Sequence, residues 1–220
     1  MKICLLTYDT PHLKTAQVYH GLNIINRYDI SFMTMPFIER KSRDVIFKHR
    51  PSQFTGVGAR DISNKTGCEI ISYENWKNSI KAFDYFIVCG SNIIDKDFAN
   101  CGKILNAHSG IIPGVRGLDS LKWAIYHQKL VGNTLHIIDE HADAGQVISN
   151  IETPVYSNDT LESFSLRHYE NEILMLINFE KLIESGSKIN SDYAESTMRM
   201  PIEKEQELFE KFEIYKEKYL

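Results

Sequence analysis

The sequence lacks an excess of charge of one sign, a long apolar run and closely paired cysteines. Its 220 residues carry 25 basic and 29 acidic side chains, and the formal net charge is −4. This balance gives no electrostatic reason to expect nucleic acid or an anionic membrane as a partner. No stretch of about 18 apolar residues occurs, so we expect no membrane-spanning helix. A small-molecule substrate fits this composition better.

The four cysteines, Cys4, Cys68, Cys89 and Cys101, show no CxxC spacing. Three of them lie inside or beside apolar runs, which is typical of reduced thiols in a protein core. The chain enters a strand-like run at Lys2–Tyr8 without the basic and apolar regions of a secretion signal. We therefore expect a cytoplasmic protein.

Short apolar runs alternate with helix-like segments through the first two-thirds of the chain. This order predicts a Rossmann-like, mostly parallel twisted sheet with helices on both faces. We expect a catalytic domain over residues 1–190, with residues 191–220 as a helical extension of the same domain. The predicted helices are Lys14–Arg27, Glu74–Lys81 and Asp119–His127, and the predicted strands are Ile3–Thr7, Ile30–Met35, Cys68–Ser72, Tyr85–Cys89, Ile104–Asn106, Thr134–Ile138 and Val147–Ile151.

Two further helices are predicted in the last third of the chain. The first begins at Asp159 as N-cap, with Glu162 at the N3 position, and stops at Gly186. The second, Pro201–Leu220, is charged throughout, and we expect it to be a surface element or a subunit contact. The apolar stripe of the first helix consists of Leu161, Phe164, Tyr169, Ile173, Leu176, Ile177 and Ile183.

The stretch Lys103–Asn150 concentrates residues that suit acyl transfer. A buried strand ends in Asn106 and His108, whose side chains alternation places on the same side at the carboxyl edge of the sheet. Asp143 follows a neighbouring strand and is expected to return towards His108. An amide that donates to an oxyanion, an imidazole that moves protons and a carboxylate that orients it require no Ser or Cys nucleophile.

This stretch resembles the folate-dependent formyltransferase family over roughly Tyr85–Ile151. The resemblance implies a 10-formyltetrahydrofolate donor, a tetrahedral intermediate, and catalytic roles for Asn106, His108 and Asp143. It is also consistent with a homodimer. The matching residues are Asn106, His108, Pro113, Arg116-Gly117, Trp123-Ala124, Gly132, Thr134, His136, Ile138-Asp139 and Asp143-Ala144-Gly145. By the same resemblance the pterin lies against main chain, and the implied folate-binding residues are Cys89, Gly90, Ser91, Ile93, Ile94, Asp139 and Glu140.

Departures from the family pattern narrow the choice of acceptor substrate. The glycinamide ribonucleotide branch has a Gly/Ser-rich phosphate loop after its first strand, where this chain has Tyr8–His12. The methionyl-tRNA branch carries a further barrel domain, which we do not expect here. By elimination the chain resembles the nucleotide-sugar N-formyltransferases, including the branch acting on pseudaminic acid precursors, and a role in surface polysaccharide biosynthesis would follow. Many relatives have Ser where this sequence has Gly110, so no hydroxyl role passes to Ser109.

A basic cluster within Glu39–Phe54 is the candidate contact for a nucleotide diphosphate. From it we select Arg50 and Gln53 as substrate-binding residues, and we add Arg116 from the loop after the catalytic strand. A solvated helix face explains the same cluster about equally well. Trp123 is expected to pack beneath the site.

Three alternatives stay open. A metal site at His136, Asp139, His141 and Asp143 fits no standard zinc spacing, so no metal is expected. A formyltetrahydrofolate deformylase would use water as acceptor, but such enzymes usually carry an extra N-terminal domain. A non-catalytic nucleotide-binding module would share the sheet, yet no GxGxxG turn follows a predicted strand.

Overall fold

A computed structural model describes residues 1–39, 43–140, 145–185 and 195–220. Its strands are β1 Lys2–Tyr8, β2 Asp29–Met35, β3 Ile70–Ser72, β4 Tyr85–Val88, β5 Ile104–His108, β6 Arg116–Gly117, β7 Gly132–Ile137, β8 Gln146–Glu152 and β9 Ser196–Thr197. Its helices are α1 Leu13–Ile25, α2 Ala59–Thr66, α3 Trp76–Ser79, α4 Lys96–Ala99, α5 Ser120–Tyr126, α6 Leu161–Ile177, α7 Phe179–Ser185, α8 Ile202–Gln206 and α9 Leu208–Tyr219.

Seven strands form one sheet in the order β3-β2-β1-β4-β5-β7-β8, and β6 pairs with β9 apart from it. The first five strands of this order run parallel. All seven predicted strands are present, and the predicted Rossmann-like, mostly parallel fold is confirmed. Such a sheet gathers the loops that follow its parallel strands at one edge, where ligands bind in open α/β folds.

β7 runs antiparallel to β5, which alters the expected path of the following loop. Leu105 pairs with Ile137 and His108 with Thr134. The chain therefore leaves β7 beside the start of β5, where the Ile138 N–H donates to the Ile104 carbonyl at 2.9 Å. The expected return of Asp143 from this neighbouring strand towards His108 stays a prediction, because Asp143 lies outside the described residues.

Alternation along β1 builds two apolar layers. Ile3 and Leu5 face the layer formed with α1 and α6, whereas Cys4 and Leu6 face the layer that includes Trp76 of α3. Helices thus cover both faces of the sheet, as predicted. All four cysteines are free thiols, two of them fully buried.

Helix α6 begins one residue later than predicted. Its N-cap is Thr160, whose hydroxyl accepts from the Ser163 N–H at 3.2 Å, while the Ser163 hydroxyl accepts from the Thr160 N–H at 3.1 Å. Asp159 instead binds Arg167 through two contacts of 2.7 Å. Hydrogen bonds from Arg167 outweigh burial and lower the pKa of Asp159 to about 2. The helix ends at Ile177, well before Gly186, which lies outside the described residues.

The C-terminal helices are part of the folded core, so the expectation of a surface element was wrong. Leu208, Phe212 and Tyr215 are at most 1% exposed and pack with α5. Beside them Glu205 and Lys122, 0% and 1% exposed, form an ion pair of 2.6 Å. These helices are amphipathic: their apolar residues recur at helical spacing and the remaining positions are charged. The many charges therefore suggested a surface element although one face is buried. No described helix has the length and apolarity needed to cross a membrane.

Candidate active site

Asn106 lies at the middle of β5, opposite His136 of β7. Its Nδ2 is 3.1 Å from Nε2 of His136, whose ring is 0% exposed. An amide nitrogen can only donate, so Nε2 accepts and the imidazole carries its proton on Nδ1. The same amide nitrogen has a second hydrogen to offer. His136, which from sequence was a residue matching the family and a candidate metal ligand, therefore orients the Asn106 amide.

His108 ends β5 and is 6% exposed. Its Nε2 lies 3.2 Å from both the Val115 carbonyl and the Ser120 hydroxyl. The absence of a side chain at Gly110 makes room for this ring, because a Cβ there would come within 2.9 Å of Nε2 and 2.7 Å of the Val115 oxygen. The imidazole is thus held at the carboxyl edge of the sheet by the loop that follows it.

Ser109 is engaged by a second histidine that the sequence analysis missed. Its hydroxyl lies 2.8 Å from Nε2 of His168, and the Nδ1 of the same ring is 2.8 Å from the Thr153 hydroxyl. Burial, and to a lesser degree the charge of Arg50, lowers the pKa of His168 to about 3. This ring is a neutral support that ties α6 to the loop after β5.

One turn further along α6, Glu172 accepts two cations. Lys14 Nζ lies 2.6 Å from one carboxylate oxygen and Arg50 lies 2.7 Å from the other. Burial opposes ionisation of Glu172, but Arg50 and Lys14 outweigh it and hold the pKa at about 2. Glu172 and Lys14 are buried, whereas the Arg50 side chain is 33% exposed. The triad fixes a partly exposed guanidinium beside the start of α1.

His168 and Glu172 were not recognised from sequence, although a signal existed. They stand four residues apart, between apolar neighbours that share their helix face, so burial of both could have been inferred. A buried carboxylate requires cations, and the described chain supplies them from α1 and from the segment that precedes α2.

The segment 78–179, which carries Asn106, His108, His136, His168 and Glu172, matches the formyl transferase family. The match covers just under half of the 220 residues. Over 95 residues it is 30% identical to a phosphoribosylglycinamide formyltransferase of Haemophilus influenzae, covering 41% of this chain and 45% of that protein. Over 86 residues it is 33% identical to a trifunctional purine biosynthetic protein of Chironomus tentans, covering 39% of this chain and 6% of that protein. These matches span less than half the length of either relative.

Solved structures of formyl transferases share the fold of this chain. A sugar N-formyltransferase from Shewanella superposes with a TM-score of 0.60 and 18% identity, covering 90% of this chain and 76% of that chain. An N-formyltransferase from Helicobacter canadensis, in complex with folinic acid and dTDP-3-aminofucose, gives a TM-score of 0.62 and 16% identity, covering 90% and 70%.

The segment expected to contact the pterin is a loop after β4. The N–H groups of Cys89 and Gly90 both donate to the Leu6 carbonyl, at 3.0 and 3.1 Å, and the Ser91 carbonyl accepts from the Tyr8 hydroxyl at 2.7 Å. Within the described residues, the N–H groups of Ser91, Ile93 and Ile94 donate to no other group. The Ile93 side chain is 96% exposed. Backbone donors are therefore available in this loop.

Two further predicted folate-binding residues follow β7. Asp139 is half-buried, and the Glu140 side chain forms an ion pair with Lys96. The Glu140 N–H donates to the Asn100 side chain at 3.2 Å. These contacts join the start of the loop after β7 to α4, on the side of the sheet where β5 begins.

Of the three predicted acceptor residues, Arg50 and Gln53 share one segment, whereas Arg116 lies on a different element. The Gln53 carbonyl accepts from the Leu13 N–H at 2.7 Å at the start of α1. Arg50 shares Glu172 with Lys14 of the same turn, so both residues lie beside the start of α1. Arg116 lies in β6, on the two-stranded ribbon with β9. No described residue between 43 and 58 is helical, so a solvated helix face does not explain the basic cluster.

Other basic and aromatic residues of these segments have structural partners. Arg43 binds Asp119 at 2.9 Å and Glu205 at 3.3 Å, which ties the basic segment to the C-terminal helices. Trp123, expected beneath the site, packs against the apolar cluster of α5 and the C-terminal helices, and its indole donates to the Met198 carbonyl at 2.7 Å. Among the residues that the structure describes, no group of three His, Cys, Asp or Glu side chains has metal-binding proximity, and His141 and Asp143 lie outside them.

Proposed function

We propose that this formyl transferase moves a formyl group from 10-formyltetrahydrofolate to the primary amine of a nucleotide-linked amino deoxysugar, through a tetrahedral intermediate. The observation that carries the proposal is the pair Asn106 and His108, at the middle and the carboxyl end of β5, each hydrogen-bonded and oriented by buried partners. Both lie inside the segment that matches the family.

The chemistry follows from what these side chains can donate. The folate donor supplies a formyl carbon that the unprotonated amine attacks, and the carbon's oxygen gains negative charge. The second Nδ2 hydrogen of Asn106 donates to that oxygen, and His108 adds a further donor or carries a proton. Forming the new C–N bond and breaking the bond to the folate nitrogen moves one proton from the amine to that nitrogen. Asp143 would orient His108 or take the amine proton through water.

The folate site would use main chain more than side chains. The N–H groups left over at Ser91, Ile93 and Ile94 suit the amide-like edge of a pterin, which presents acceptors in a plane. The Helicobacter canadensis relative was solved with folinic acid, which supports the same class of donor here.

The acceptor class rests on Arg50 and on the loop after β1. A guanidinium held by Glu172 at 2.7 Å and still partly exposed is suited to a phosphate, because its remaining N–H groups form a planar fork. The relatives from Shewanella and Helicobacter canadensis, described as a sugar N-formyltransferase and as bound to dTDP-3-aminofucose, support a nucleotide sugar.

A second candidate acceptor is glycinamide ribonucleotide. It is favoured by the 30% identity with the Haemophilus influenzae enzyme. Against it, the loop after β1 contains Tyr8, Pro11 and His12 instead of a Gly/Ser-rich phosphate turn, and the His12 ring is 4% exposed within this loop. A buried ring occupies space that a phosphate-wrapping backbone would need.

The test is tetrahydrofolate release from 10-formyltetrahydrofolate, followed by absorbance, with nucleotide-linked amino sugars, with glycinamide ribonucleotide and with no amine. The proposal expects release only with an amino sugar, and its loss in His108→Ala. Release with glycinamide ribonucleotide alone would support the second candidate. Release without an amine would mean deformylation, and no release under any condition would favour a binding module.

A further inference from the structure

Four aromatic rings, one from the end of β1 and three from loops, meet at the carboxyl edge of β1 and β2. The Tyr8 ring lies edge-on to His12 at 5.4 Å and to Phe37 at 5.1 Å between centroids. Phe54 packs against Phe37 at 4.3 Å and against His12 at 5.9 Å. These segments are far apart in sequence, so the fold itself brings the rings together at the edge where open α/β sheets bind ligands.

The cluster is ordered but not covered. Tyr8 is 8% exposed and its hydroxyl is fixed on the Ser91 carbonyl, while Phe54 is 49% exposed. The Asn92 side chain donates to the Pro36 carbonyl at 2.7 Å and so joins the loop after β4 to the loop that carries Phe37. A rigid, partly exposed aromatic surface of this kind is typical of a site that stacks a planar ligand.

A positively charged side chain, Arg50, lies on the same segment as Phe54. Arg50 is held by Glu172, and three residues later Gln53 accepts from the N–H of Leu13 at the start of α1. Phe54 and Arg50 therefore flank the first turn of α1, with the rings on the His12 side and the guanidinium on the Lys14 side. An aromatic surface beside a fixed cation complements a ligand that joins a planar ring to phosphate groups.

We propose that Phe54, Phe37 and Tyr8 form a stacking site for the planar base of the acceptor's nucleoside diphosphate, with Arg50 contacting its phosphates. This inference rests on the proposed function, because it names how the nucleotide part of that acceptor is held. The base stacks on the exposed face of Phe54. The folate ring is assigned elsewhere, since the leftover N–H groups lie in the loop after β4.

The test compares Phe54→Leu with Phe209→Leu in the full chain. Phe54 and Phe209 are 49% and 46% exposed, so both variants lose a ring of similar exposure, and Phe209 lies on α9 with its ring 6.2 Å from that of Phe47. Calorimetry measures the Kd of uridine and thymidine diphosphates, of inorganic pyrophosphate and of tetrahydrofolate. Urea unfolding verifies that both variants fold.

Phe54→Leu is expected to raise the nucleoside diphosphate Kd by roughly five- to a hundredfold, the usual range for loss of one base–aromatic stack. The Kd values for pyrophosphate and tetrahydrofolate should stay at the parent's value, and Phe209→Leu should leave all of them unchanged. An unchanged nucleoside diphosphate Kd in Phe54→Leu, a loss confined to tetrahydrofolate, or no binding of either nucleoside diphosphate by the parent would overturn the proposal.

Failure of the proposed formyl transfer can be distinguished from failure of the stacking site. If nucleoside diphosphate binding depends on Phe54 but no nucleotide-linked amine accepts a formyl group, the stacking site stands and the proposed reaction fails. If formyl transfer to such an amine occurs with no effect of Phe54→Leu on Kd, the reaction stands and the stacking site fails.

Discussion

At the scale of single residues, the site depends on buried polar groups that fix one another. His136 uses its Nε2 to orient the Asn106 amide, and the Val115 carbonyl and Ser120 hydroxyl hold His108. Buried polar side chains without such partners would be costly, so the network also confines each group to one orientation.

Replacing Asn106 by alanine should lower kcat by about 100- to 1000-fold, because one donor to the developing oxyanion is removed. The KM for the acceptor should change little, since the interaction forms mainly in the transition state. Asn178→Ala, at the end of α6 and remote from β5, is the matched control and should keep the parent's kcat. A kcat within threefold of the parent for Asn106→Ala would contradict the assigned role.

Replacing Arg50 by alanine should raise the acceptor KM by roughly ten- to a hundredfold, the scale of a charge-assisted contact, and leave the folate KM unchanged. Arg60→Ala removes an exposed cation on α2 and serves as the comparison. Steady-state kinetics in both substrates separates these effects. Equal changes in both KM values would mean that Arg50 acts on the fold and not on the acceptor.

Some of these residues could be predicted from sequence and others could not. Asn106 and His108 stand two apart at the end of an apolar run, and alternation alone places them together. His168 and Glu172 stayed hidden because a polar residue within an apolar helix stripe has no local partner to reveal it. The partners of Glu172 come from Lys14 and Arg50, more than 100 residues away along the chain.

At the scale of elements, strand positions were predictable and strand direction was not. Apolar runs located all seven strands of the main sheet, but a run reads the same in either direction, so the antiparallel course of β7 appeared only in the register with β5. The N-cap of α6 moved from Asp159 to Thr160 because Arg167 engages the Asp159 carboxylate. Whether a side chain caps a helix or pairs with a residue further along the chain cannot be judged from the sequence spacing alone.

The C-terminal helices illustrate how an element far from the site supports it. Glu205 of α8 accepts from Lys122 at 2.6 Å, from Arg43 at 3.3 Å and from the Ile46 N–H at 2.8 Å. This carboxylate joins α5, the C-terminal helices and the start of the segment that leads to Arg50.

Glu205→Ala should destabilise the fold by about 3–5 kcal/mol, because it leaves the buried Lys122 ammonium without its counter-charge. Glu203→Ala, on the same helix but exposed, should change stability by less than about 0.5 kcal/mol. Urea unfolding at neutral pH measures both. Similar stabilities for the two variants would show that the buried ion pair contributes little.

At the scale of the whole molecule, buried neutral histidines set the response to acid. Burial is the main cause that lowers the pKa of His168 to about 3 and of His12 to about 4, from an ordinary value of 6.5. Unfolded histidines bind a proton below that ordinary value while the folded ones do not. Their contribution to stability is therefore complete above pH 6.5 and is lost as the pH falls towards 4.

The free energy of unfolding should consequently fall between pH 6.5 and 4 by about 1.4 kcal/mol per pH unit for each such histidine. His168→Gln should show a shallower fall over this range, although its stability at pH 7 is lower. Urea unfolding at several pH values gives both slopes. Parallel slopes for parent and variant would refute the assignment of a neutral, buried His168.

Below pH 4 the pH dependence of stability comes mainly from carboxylates. Burial opposes ionisation of Glu172, yet its two cations hold its pKa at about 2, below an ordinary value of 4.5. Its stabilising contribution is present above pH 4.5 and is lost as the pH falls towards 2, so acid should release the triad only after the histidines have titrated.

The central claim is that the carboxyl end of β5 transfers a formyl group to an amine. The most direct measurement is mass spectrometry of the acceptor after incubation with 10-formyltetrahydrofolate carrying a carbon-13 formyl group, using the parent and Asn106→Ala. The account predicts a labelled formamide on a nucleotide-linked amino sugar with the parent, and at least 100-fold less with the variant. Unlabelled acceptor with the parent, or equal labelling by the two proteins, would contradict it.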